Sequence, residues 1–474
     1  MLRKDIYTLR RLKARQSIQE LFMEKNLTTG SVFKNLLIFS LPYLLSYFLQ
    51  TLYGMADLYI IGQFDPVAST TAVSIGSQVM HMITVMIVGL AMGTTVSIGQ
   101  AIGADDKKAA SKAVGNTVVL FMAVALALMA VLLLLVRPIV SVMSTPEEAV
   151  SGTIDYLTIC FIGIPFITAY NIIASIFRGM GDSKSPMYFI AIACVCNIAL
   201  DYLFIGALGM GPSGAALGTT LAQTISVIIS LSVILKRKLG LSFSKDDFRP
   251  KKSTMGAIVK VGLPIACQDG LIQIAFLIIT IIVNQRGVND AAAVGIVEKI
   301  ITFLFLVPSS MLSAISAIGA QNIGAGKPER AISTLKYGIL IAAGFGLVCA
   351  LILQFVSAPV VSLFTDASTA DGAEVVRLGG QYLKGYAWDI LFAGIHFSFS
   401  GYFCAIGRSG LSFMHNIIAI ALMRIPGVYF ASKMFADTLL PMGLATASGS
   451  LVSSIICVIA FAVIMKKQKK AKGV

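Results

Sequence analysis

Long apolar segments separated by short polar ones follow one another along the whole chain. A helix that crosses a bilayer needs about 20 mostly apolar residues, and segments of that length recur twelve times. They are centred within residues 36–62, 70–101, 114–136, 154–179, 187–206, 213–235, 257–284, 292–320, 333–357, 379–405, 412–433 and 441–465. Several exceed the minimum length, so we expect them to tilt or to extend beyond the bilayer. The pattern predicts an all-α integral membrane protein with twelve transmembrane helices.

The composition agrees with a membrane protein and excludes a soluble globular one. Hydrophobic residues make up 57% of the chain and charged residues 13%, whereas soluble globular chains carry about 25% charged residues. The seven cysteines are odd in number and mostly lie inside apolar segments, away from the three histidines, so we interpret them as small buried apolar residues. The net charge of +14 is carried between and beyond the apolar segments, which indicates a lipid bilayer rather than a nucleic acid as the partner.

The basic residues also predict the orientation. If both termini are cytoplasmic, the inner segments hold 30 of the 37 Lys and Arg residues and the outer segments hold five. Basic residues concentrate in cytoplasmic loops, so a multi-pass protein with both termini in the cytoplasm is expected. Residues 1–30 are polar and basic and lack the apolar core and cleavage site of a signal peptide.

The chain contains an internal duplication. Four matches occur in the same order, at offsets of 222, 221, 226 and 229 residues: Leu41-Pro42 with Leu263-Pro264, Gln100/Gly103/Ala104 with Gln321/Gly324/Ala325, Gly181 with Gly407, and Pro212/Gly214 with Pro441/Gly443. Each half holds six predicted spans, an even number, so both halves enter the membrane from the same side. This predicts a parallel repeat related by an axis along the membrane normal.

The duplication and the charge pattern together predict five regions. These are a basic cytoplasmic N-terminal tail (1–30), an N-lobe of helices 1–6 (31–235), a basic cytoplasmic linker (236–256), a C-lobe of helices 7–12 (257–465) and a basic C-terminal tail (466–474).

Ionisable residues inside the predicted spans are functional candidates, because each costs about 2.5–3.5 kcal/mol on insertion scales. Asp57 lies roughly 30 Å along the first span, and Asp201 lies roughly 20 Å along the fifth, in its outer half. Asn197 shares the face of Asp201, and Thr219 lies about 9 Å below the outer surface. Four oxygen-bearing groups at one level suit a hard monovalent cation or a proton. The alternative is that they only hold helices together, which we favour for Asn and Thr taken alone.

The second half carries a different set of candidates for a substrate cavity. Asp269 lies near mid-depth in the seventh span with Gln273 one turn on, and Asp389 lies near mid-depth in the tenth with His396 on roughly the same face. Arg424, in the eleventh span, falls at the repeat position of Asn197. An alternative interpretation is that Arg424 simply neutralises Asp269 or Asp389.

Several of these segments together resemble the multidrug and toxic compound extrusion (MATE) transporters over nearly the whole chain. The matching stretches are Leu41-Pro42, Tyr53–Gly62, Phe177–Pro186, Asn197–Tyr202 and Gly214–Thr219. The resemblance implies two six-helix lobes around a central cavity that opens alternately to each side of a bacterial cytoplasmic membrane. It also implies export of organic, often cationic, compounds in exchange for inward Na⁺ or H⁺.

The resemblance assigns roles to particular residues. In the DinF-like branch the positions of Asp57, Asn197, Asp201 and Thr219 form an N-lobe proton or cation site, and they would be metal ligands only if Na⁺ is the coupling ion. The position of Pro42 is proposed to bend there. Another bacterial branch uses a Glu in helix seven and an Asp in helix ten. This chain has no Glu in its predicted seventh span, and Asp389 lies near the helix-ten position.

The sequence therefore predicts a secondary antiporter for small organic molecules, monomeric and not an enzyme, with no cofactor beyond the coupling ion H⁺ or Na⁺. One alternative is a lipid-linked oligosaccharide flippase of the same superfamily, which would need a basic cavity for pyrophosphate. The predicted span interiors instead hold four Asp and one Arg, which favours cationic cargo. Another is an integral-membrane enzyme, but no His-rich metal motif, nucleophile elbow or phosphate-binding loop is present in the sequence.

Overall fold

The structure, a computed structural model, describes residues 26–237 and 240–471, and most of them lie in long helices. The helices are α1 (Val32–Phe64), α2 (Val67–Gly103), α3 (Lys107–Val142), α4 (Glu147–Ile162), α5 (Ile164–Gly179), α6 (Lys184–Asp201), α7 (Gly211–Arg237), α8 (Lys252–Asn284), α9 (Val288–Leu304), α10 (Leu306–Gly324), α11 (Pro328–Ser362), α12 (Ala370–Ala405), α13 (Gly410–Ala419), α14 (Ile425–Met434) and α15 (Leu440–Ala471). A π-helical turn, Tyr202–Ala207, extends α6, and another, Ile420–Arg424, joins α13 to α14.

These helices account for the twelve predicted spans. Among the described residues, ten continuous stretches are long and apolar enough to cross a membrane, and α4 with α5 makes an eleventh that is bent by 49°. The twelfth is α12, which has 36 residues and so extends about 54 Å; buried polar residues such as Asp389 and His396 lower its hydropathy. The predicted all-α class with twelve helices is confirmed.

Some spans predicted as continuous are interrupted. The fourth breaks at Gly163, between α4 and α5, and the eighth breaks at Phe305, between α9 and α10. Pro165 and Pro308 follow these breaks, and a proline lacks the N–H that would continue the hydrogen-bond ladder. The eleventh span contains the π-turn that ends at Arg424, and such turns often occur at functional sites.

Pro42 lies in the interior of its helix. Helix α1 begins at Val32, with Ser31 as its N-cap, which is four residues before the predicted span 36–62. Ser31 accepts the Lys34 N–H, which caps the first turn and lets the helix start earlier. Pro264 of the second half lies inside α8 in the same way, and both helices have 33 residues.

Hydrophobic clusters show where the two halves touch. We call the end of the bundle that carries Val32 and Ala471 the inner end. One cluster in the outer half of the bundle contains only N-lobe residues, such as Ile60 and Phe161, and another contains only C-lobe residues, such as Tyr386. Nearer the inner end, three clusters combine both lobes and are listed here: Leu36, Phe39 and Tyr43 with Ile315 and Phe399; Met92 and Val96 with Ile265 and Cys404; Ala91 and Val114 with Ile258. The lobes are therefore joined mainly along their inner halves.

The segment between the lobes is attached to α3. Asn116 is buried, and its Nδ2 donates to the Asp247 carbonyl at 3.0 Å while its Oδ1 accepts the Lys251 N–H at 2.7 Å. The Ser244 N–H and hydroxyl donate to the Asp247 carboxylate, and these bonds hold the pKa of that carboxyl below its usual value. The helix that follows, α8, begins at Lys252, earlier than the predicted C-lobe boundary at residue 257.

Candidate functional site

Helices α1, α6 and α7 bring the four predicted N-lobe residues together in the interior of the bundle. Thr219 Oγ1 donates to Asp57 Oδ2 at 3.1 Å, and Asn197 Nδ2 lies 3.5 Å from Thr219 Oγ1. The carboxyl groups of Asp57 and Asp201 lie within hydrogen-bonding reach of each other. Asp57, Asn197 and Asp201 are each at most 2% exposed. Residue counts along the spans predicted that the four side chains lie at one level. In the structure they lie together.

Local backbone features set the position of Asp201. It is the last α-helical residue of α6, directly before the π-turn Tyr202–Ala207. Gly218 of α7 faces it, and a Cβ at Gly218 would collide with Asp201 Oδ1. Glycine at this position therefore permits the close packing of α7 on α6, which in turn brings the neighbouring Thr219 to Asp57.

The site has fewer hydrogen-bond donors than acceptor oxygens. Four buried oxygens have no partner: Asp57 Oδ1, both Asp201 carboxylate oxygens and Asn197 Oδ1. Buried polar atoms are nearly always paired, and two adjacent carboxylates in low dielectric would repel each other if both were ionised. A proton or a small cation between the carboxyl groups would satisfy these oxygens. The groups can therefore bind and release one positive charge.

A narrow gap lies beside Asn197 and Thr219. It is also lined by Tyr53, Ala193, Ala222 and Gln223, and it is too small to hold a water molecule. Tyr53 and Gln223 were absent from the sequence prediction. Gln223 lies four residues after Thr219 on α7, so the helical period could have indicated it. Its buried Oε1 is another oxygen with no partner.

In the C-lobe, the structure shows whether Arg424 pairs with Asp269 or with Asp389. Its Nη2 donates to Asp389 Oδ2 at 2.6 Å, with side-chain exposures of 9% and 0%, so it pairs with Asp389. Asp269 instead lies where α8 crosses α2, opposite Gly89, and is half-buried. Gln273, one turn further along α8, is also half-buried.

His396 lies with Arg424 rather than with Asp269. Both line the same C-lobe cavity, and the His396 ring packs against Phe397 with centroids 4.8 Å apart. The five predicted C-lobe residues thus divide into two groups: Asp389, His396 and Arg424 on α12 and the π-turn, and Asp269 with Gln273 on α8. A guanidinium stands at the repeat position of Asn197, so the C-lobe does not reproduce the N-lobe arrangement.

Comparison with known proteins decides the family. The MatE family model matches residues 42–203 and 264–430, more than half of the chain, and the two matches begin at the repeated prolines of α1 and α8. The chain belongs to the MATE family. It is 30% identical to the Probable multidrug resistance protein YpnP of Bacillus subtilis over 84% of this chain and 88% of that protein. It is 25% identical to the Multidrug export protein MepA of Staphylococcus haemolyticus, over 86% and 89%.

Solved structures of MATE transporters share the fold. A MATE crystal structure in complex with MaL6 superposes with a TM-score of 0.87 at 23% identity, covering 94% of this chain and 99% of that one. An outward-facing conformation of a multidrug resistance MATE transporter gives 0.86 at 22% identity, covering 94% and 98%. The chain is thus a multi-pass membrane transporter of a family that exports small molecules.

The inner end of this MATE protein is closed by a symmetric pair of glutamines. Gln100 Nε2 donates to the Ala405 carbonyl and Gln321 Nε2 donates to the Gly179 carbonyl, both at 2.9 Å and both between lobes. Each glutamine backbone also lies against a glycine of the other lobe, Gly324 or Gly103, where a Cβ would collide. We had noted both glutamines only as repeat matches, because glutamine carries no charge to mark it in a span.

We expect the double variant Gln100→Ala/Gln321→Ala to open the inner end more often, because each bond contributes roughly 0.5–1.5 kcal/mol. The probe is Cys404, which is fully buried in the interlobe cluster, as the sole cysteine. Labelling by an impermeant thiol reagent from the inner face should accelerate at least twofold. Gln354→Ala is the matched control, since Gln354 donates to carbonyls within the C-lobe only. Equal labelling rates in all variants would contradict a role in closure.

Proposed function

We propose that this protein is a secondary antiporter that exports organic compounds, mainly cations, in exchange for the inward movement of a proton at the Asp57–Asp201 pair. The observation that carries the proposal is the set of buried oxygens without donors at that pair. Buried carboxyl groups without donors are costly inside a membrane, so we expect them to have a function. We infer that the pair gains and loses one positive charge during each transport cycle. The export function of the named multidrug relatives supports the same assignment.

The geometry favours H⁺ over Na⁺ as the coupling ion. The two carboxyl groups lie within reach of each other, so one proton shared between them needs no additional volume. A metal cation would need several oxygens around it, and the gap beside Asn197 and Thr219 is too narrow for a water molecule to supply one.

The cargo path is the cleft between the lobes. The inner halves of the lobes are packed together and each outer cluster belongs to one lobe, so we propose that the cleft opens toward the outer end. Asp269 and Gln273 lie along α8 on the C-lobe side and are half-buried, and Asp269 supplies a carboxylate for a cationic cargo. The acidic residues in the spans agree with this class of cargo.

Pro42 is the proposed hinge of the exchange. Below it, Leu36 and Phe39 pack in a cluster with C-lobe residues, and above it, Ile60 and Ile61 pack in the N-lobe. Helix α1 therefore bridges the two lobes, and a relative rotation must be absorbed along it. A proline inside a helix lacks one hydrogen bond and allows a bend there.

Purified protein in liposomes tests the proposal. Uptake or efflux of ethidium, an organic cation, is followed under an imposed pH gradient and, separately, under an imposed Na⁺ gradient. We expect the pH gradient to drive ethidium movement against its concentration gradient, and the Na⁺ gradient at equal pH to drive little. Transport driven by Na⁺ alone would replace H⁺ with Na⁺, and transport that needs neither gradient would contradict antiport.

Both termini are proposed to be cytoplasmic, as the distribution of basic residues predicts. Lys245 lies on the exposed linker and Asp371 lies at the exposed start of α12, at the opposite end of the bundle. Single cysteines at these two positions should be labelled by an impermeant reagent only from the cytoplasm and only from outside, respectively. The reverse pattern would invert the topology and place the Asp57 site in the inner half of the membrane.

A further inference from the structure

The segment before α1 is bound by the C-lobe, although it precedes the N-lobe in the chain. We call residues 26–31 the strap. Its carbonyls accept hydrogen bonds from three C-lobe side chains: Lys327 Nζ donates to Thr28 at 3.0 Å, Arg330 Nη1 and Nη2 donate to Gly30 and Thr29 at 3.0 and 3.2 Å, and Asn322 Nδ2 donates to Leu27 at 3.3 Å. Arg330 Nε also donates to Asn322 Oδ1 at 3.1 Å, which fixes these two donors relative to each other. Four consecutive carbonyls are therefore held by the other lobe.

The inner part of α1 follows the strap into the C-lobe. Four side chains, each at most 3% exposed, share a hydrophobic cluster whose other buried members all lie in the C-lobe: Leu27, Leu36, Phe39 and Tyr43. Further along the helix, Tyr47 Oη lies 2.9 Å from Ser313 Oγ of α10. Ile60 and Ile61 instead belong to a cluster of N-lobe residues only. Helix α1 therefore changes lobes between Tyr47 and Ile60.

The contacts of this segment with the two lobes differ in strength. Moving it away from the C-lobe would expose four large apolar side chains and leave four carbonyls without their donors. On the N-lobe side, the Arg178 guanidinium lies 4.4 Å from the centre of the Tyr43 ring, a contact that is weaker than the burial of several side chains. The lobes themselves are joined at the inner end by bonds from the neutral Gln100 and Gln321. Because bonds from charged donors are stronger than neutral ones, we expect the glutamine bonds to break while the strap bonds stay.

We propose that the strap and the inner part of α1, residues 26–43, move with the C-lobe and transmit lobe movement to the Asp57–Asp201 pair. Asp57 lies about 21 Å beyond Tyr43 along the helix, on the part of α1 that belongs to the N-lobe. Because each lobe holds one end of α1, a rotation between the lobes changes the angle at which α1 approaches Asp201 of α6. The strap is thus a positioning element for the coupling site. The proposal rests on the transport cycle proposed above only in requiring that the inner end opens.

Cross-linking distinguishes an anchor that stays bound from a latch that must open. Cys404 is kept as the one native cysteine, and its labelling by an impermeant thiol reagent reports opening of the inner end. Thr28→Cys/Lys327→Cys, joined by a short bifunctional thiol reagent, fixes the strap to the C-lobe. Gly99→Cys/Ala320→Cys fixes the two lobes to each other, since a Cβ at Gly99 would lie 3.1 Å from the Ala320 Cβ, close to the separation in a disulfide.

We expect the strap cross-link to change the labelling rate of Cys404 less than twofold, because the strap stays bound while the lobes separate. The disulfide between the lobes should lower the rate at least tenfold. A strap cross-link that slows labelling as much as this disulfide would overturn the proposal. The measurement needs neither cargo nor an ion gradient, so its outcome is independent of the proposed antiport.

Lys327→Gln/Arg330→Gln tests the link between the strap and the coupling site. Ethidium transport in liposomes under a pH gradient should fall at least fivefold, because lobe movement reaches Asp57 less directly. Ethidium affinity in detergent should change less than twofold, since the strap does not contact the cleft. Lys336→Gln, which alters an exposed lysine of the same helix, is the matched control and should transport at the wild-type rate. Wild-type transport in the double variant, or a loss of affinity as large as the loss of transport, would contradict a positioning role.

Discussion

Asp57→Asn is expected to abolish proton-driven efflux while the protein is still made and inserted at close to wild-type levels. Asn keeps the shape of the side chain and can still accept the Thr219 hydroxyl, which donates at 3.1 Å. It removes the charge that a proton must neutralise, so the pair with Asp201 no longer changes between a charged and a neutral state. Ethidium transport in liposomes under a pH gradient should fall by about two orders of magnitude, toward the rate of empty liposomes.

Asp201→Asn should have the same effect, because the two carboxyl groups form one site. Asp155→Asn is the matched control, since Asp155 lies on the exposed face of α4 and has no part in the site. Its transport should match wild type. Efflux at the wild-type rate in either Asp57→Asn or Asp201→Asn would remove the pair from the coupling mechanism.

Arg424→Gln is expected to destabilise the folded protein by about 3–5 kcal/mol, the usual effect of removing one partner of a buried ion pair. The cause is the Asp389 carboxylate, which is fully buried and would lose Arg424, its one charged partner among the described residues, now 2.6 Å away. Thermal unfolding of the purified protein in detergent would show a large fall in midpoint. The double variant Asp389→Asn/Arg424→Gln should recover most of it, because no isolated charge remains.

A surface ion pair provides the control for this experiment. Arg377 and Glu374 also lie 2.6 Å apart, but their side chains are 46% and 40% exposed. Arg377→Gln should therefore change stability by no more than about 1 kcal/mol. Arg424→Gln could lower stability no more than Arg377→Gln does, or the double variant could be no more stable than Arg424→Gln. Either result would contradict the stabilising role of the buried pair.

The N-lobe site could be predicted because depth along a helix follows from residue count. Asp57 and Asp201 lie in spans whose starts are visible in the sequence, so their levels could be compared before any packing was known. The partner of Arg424 could not be obtained in this way, since Asp269 and Asp389 both lie near mid-depth and the choice depends on helix rotation. The π-turns that position Asp201 and Arg424 carry no pattern that distinguishes them from α-helix.

The contacts between the lobes could not be predicted from the sequence either. Gln100 and Gln321 are uncharged, and their carbonyl partners, Ala405 and Gly179, lie 305 and 142 residues away in the chain. The duplication pointed to both positions, but it showed only that they are equivalent. Likewise the resemblance proposed a bend at Pro42, but the cap at Ser31, which lengthens the helix inward, could be seen only in the structure.

We propose that cargo and proton compete through the Asp57–Asp201 pair. By reciprocity, if protonation weakens the binding of the cargo, then binding of the cargo must release protons. Ethidium should therefore be added to purified wild-type protein in weakly buffered detergent while the pH of the solution is recorded. We predict proton release that saturates with ethidium binding, a weaker ethidium affinity at low pH, and no release from Asp57→Asn/Asp201→Asn. Ethidium binding with the same affinity at low and high pH, and without proton release, would contradict the coupling mechanism even if Asp57 proved essential for transport.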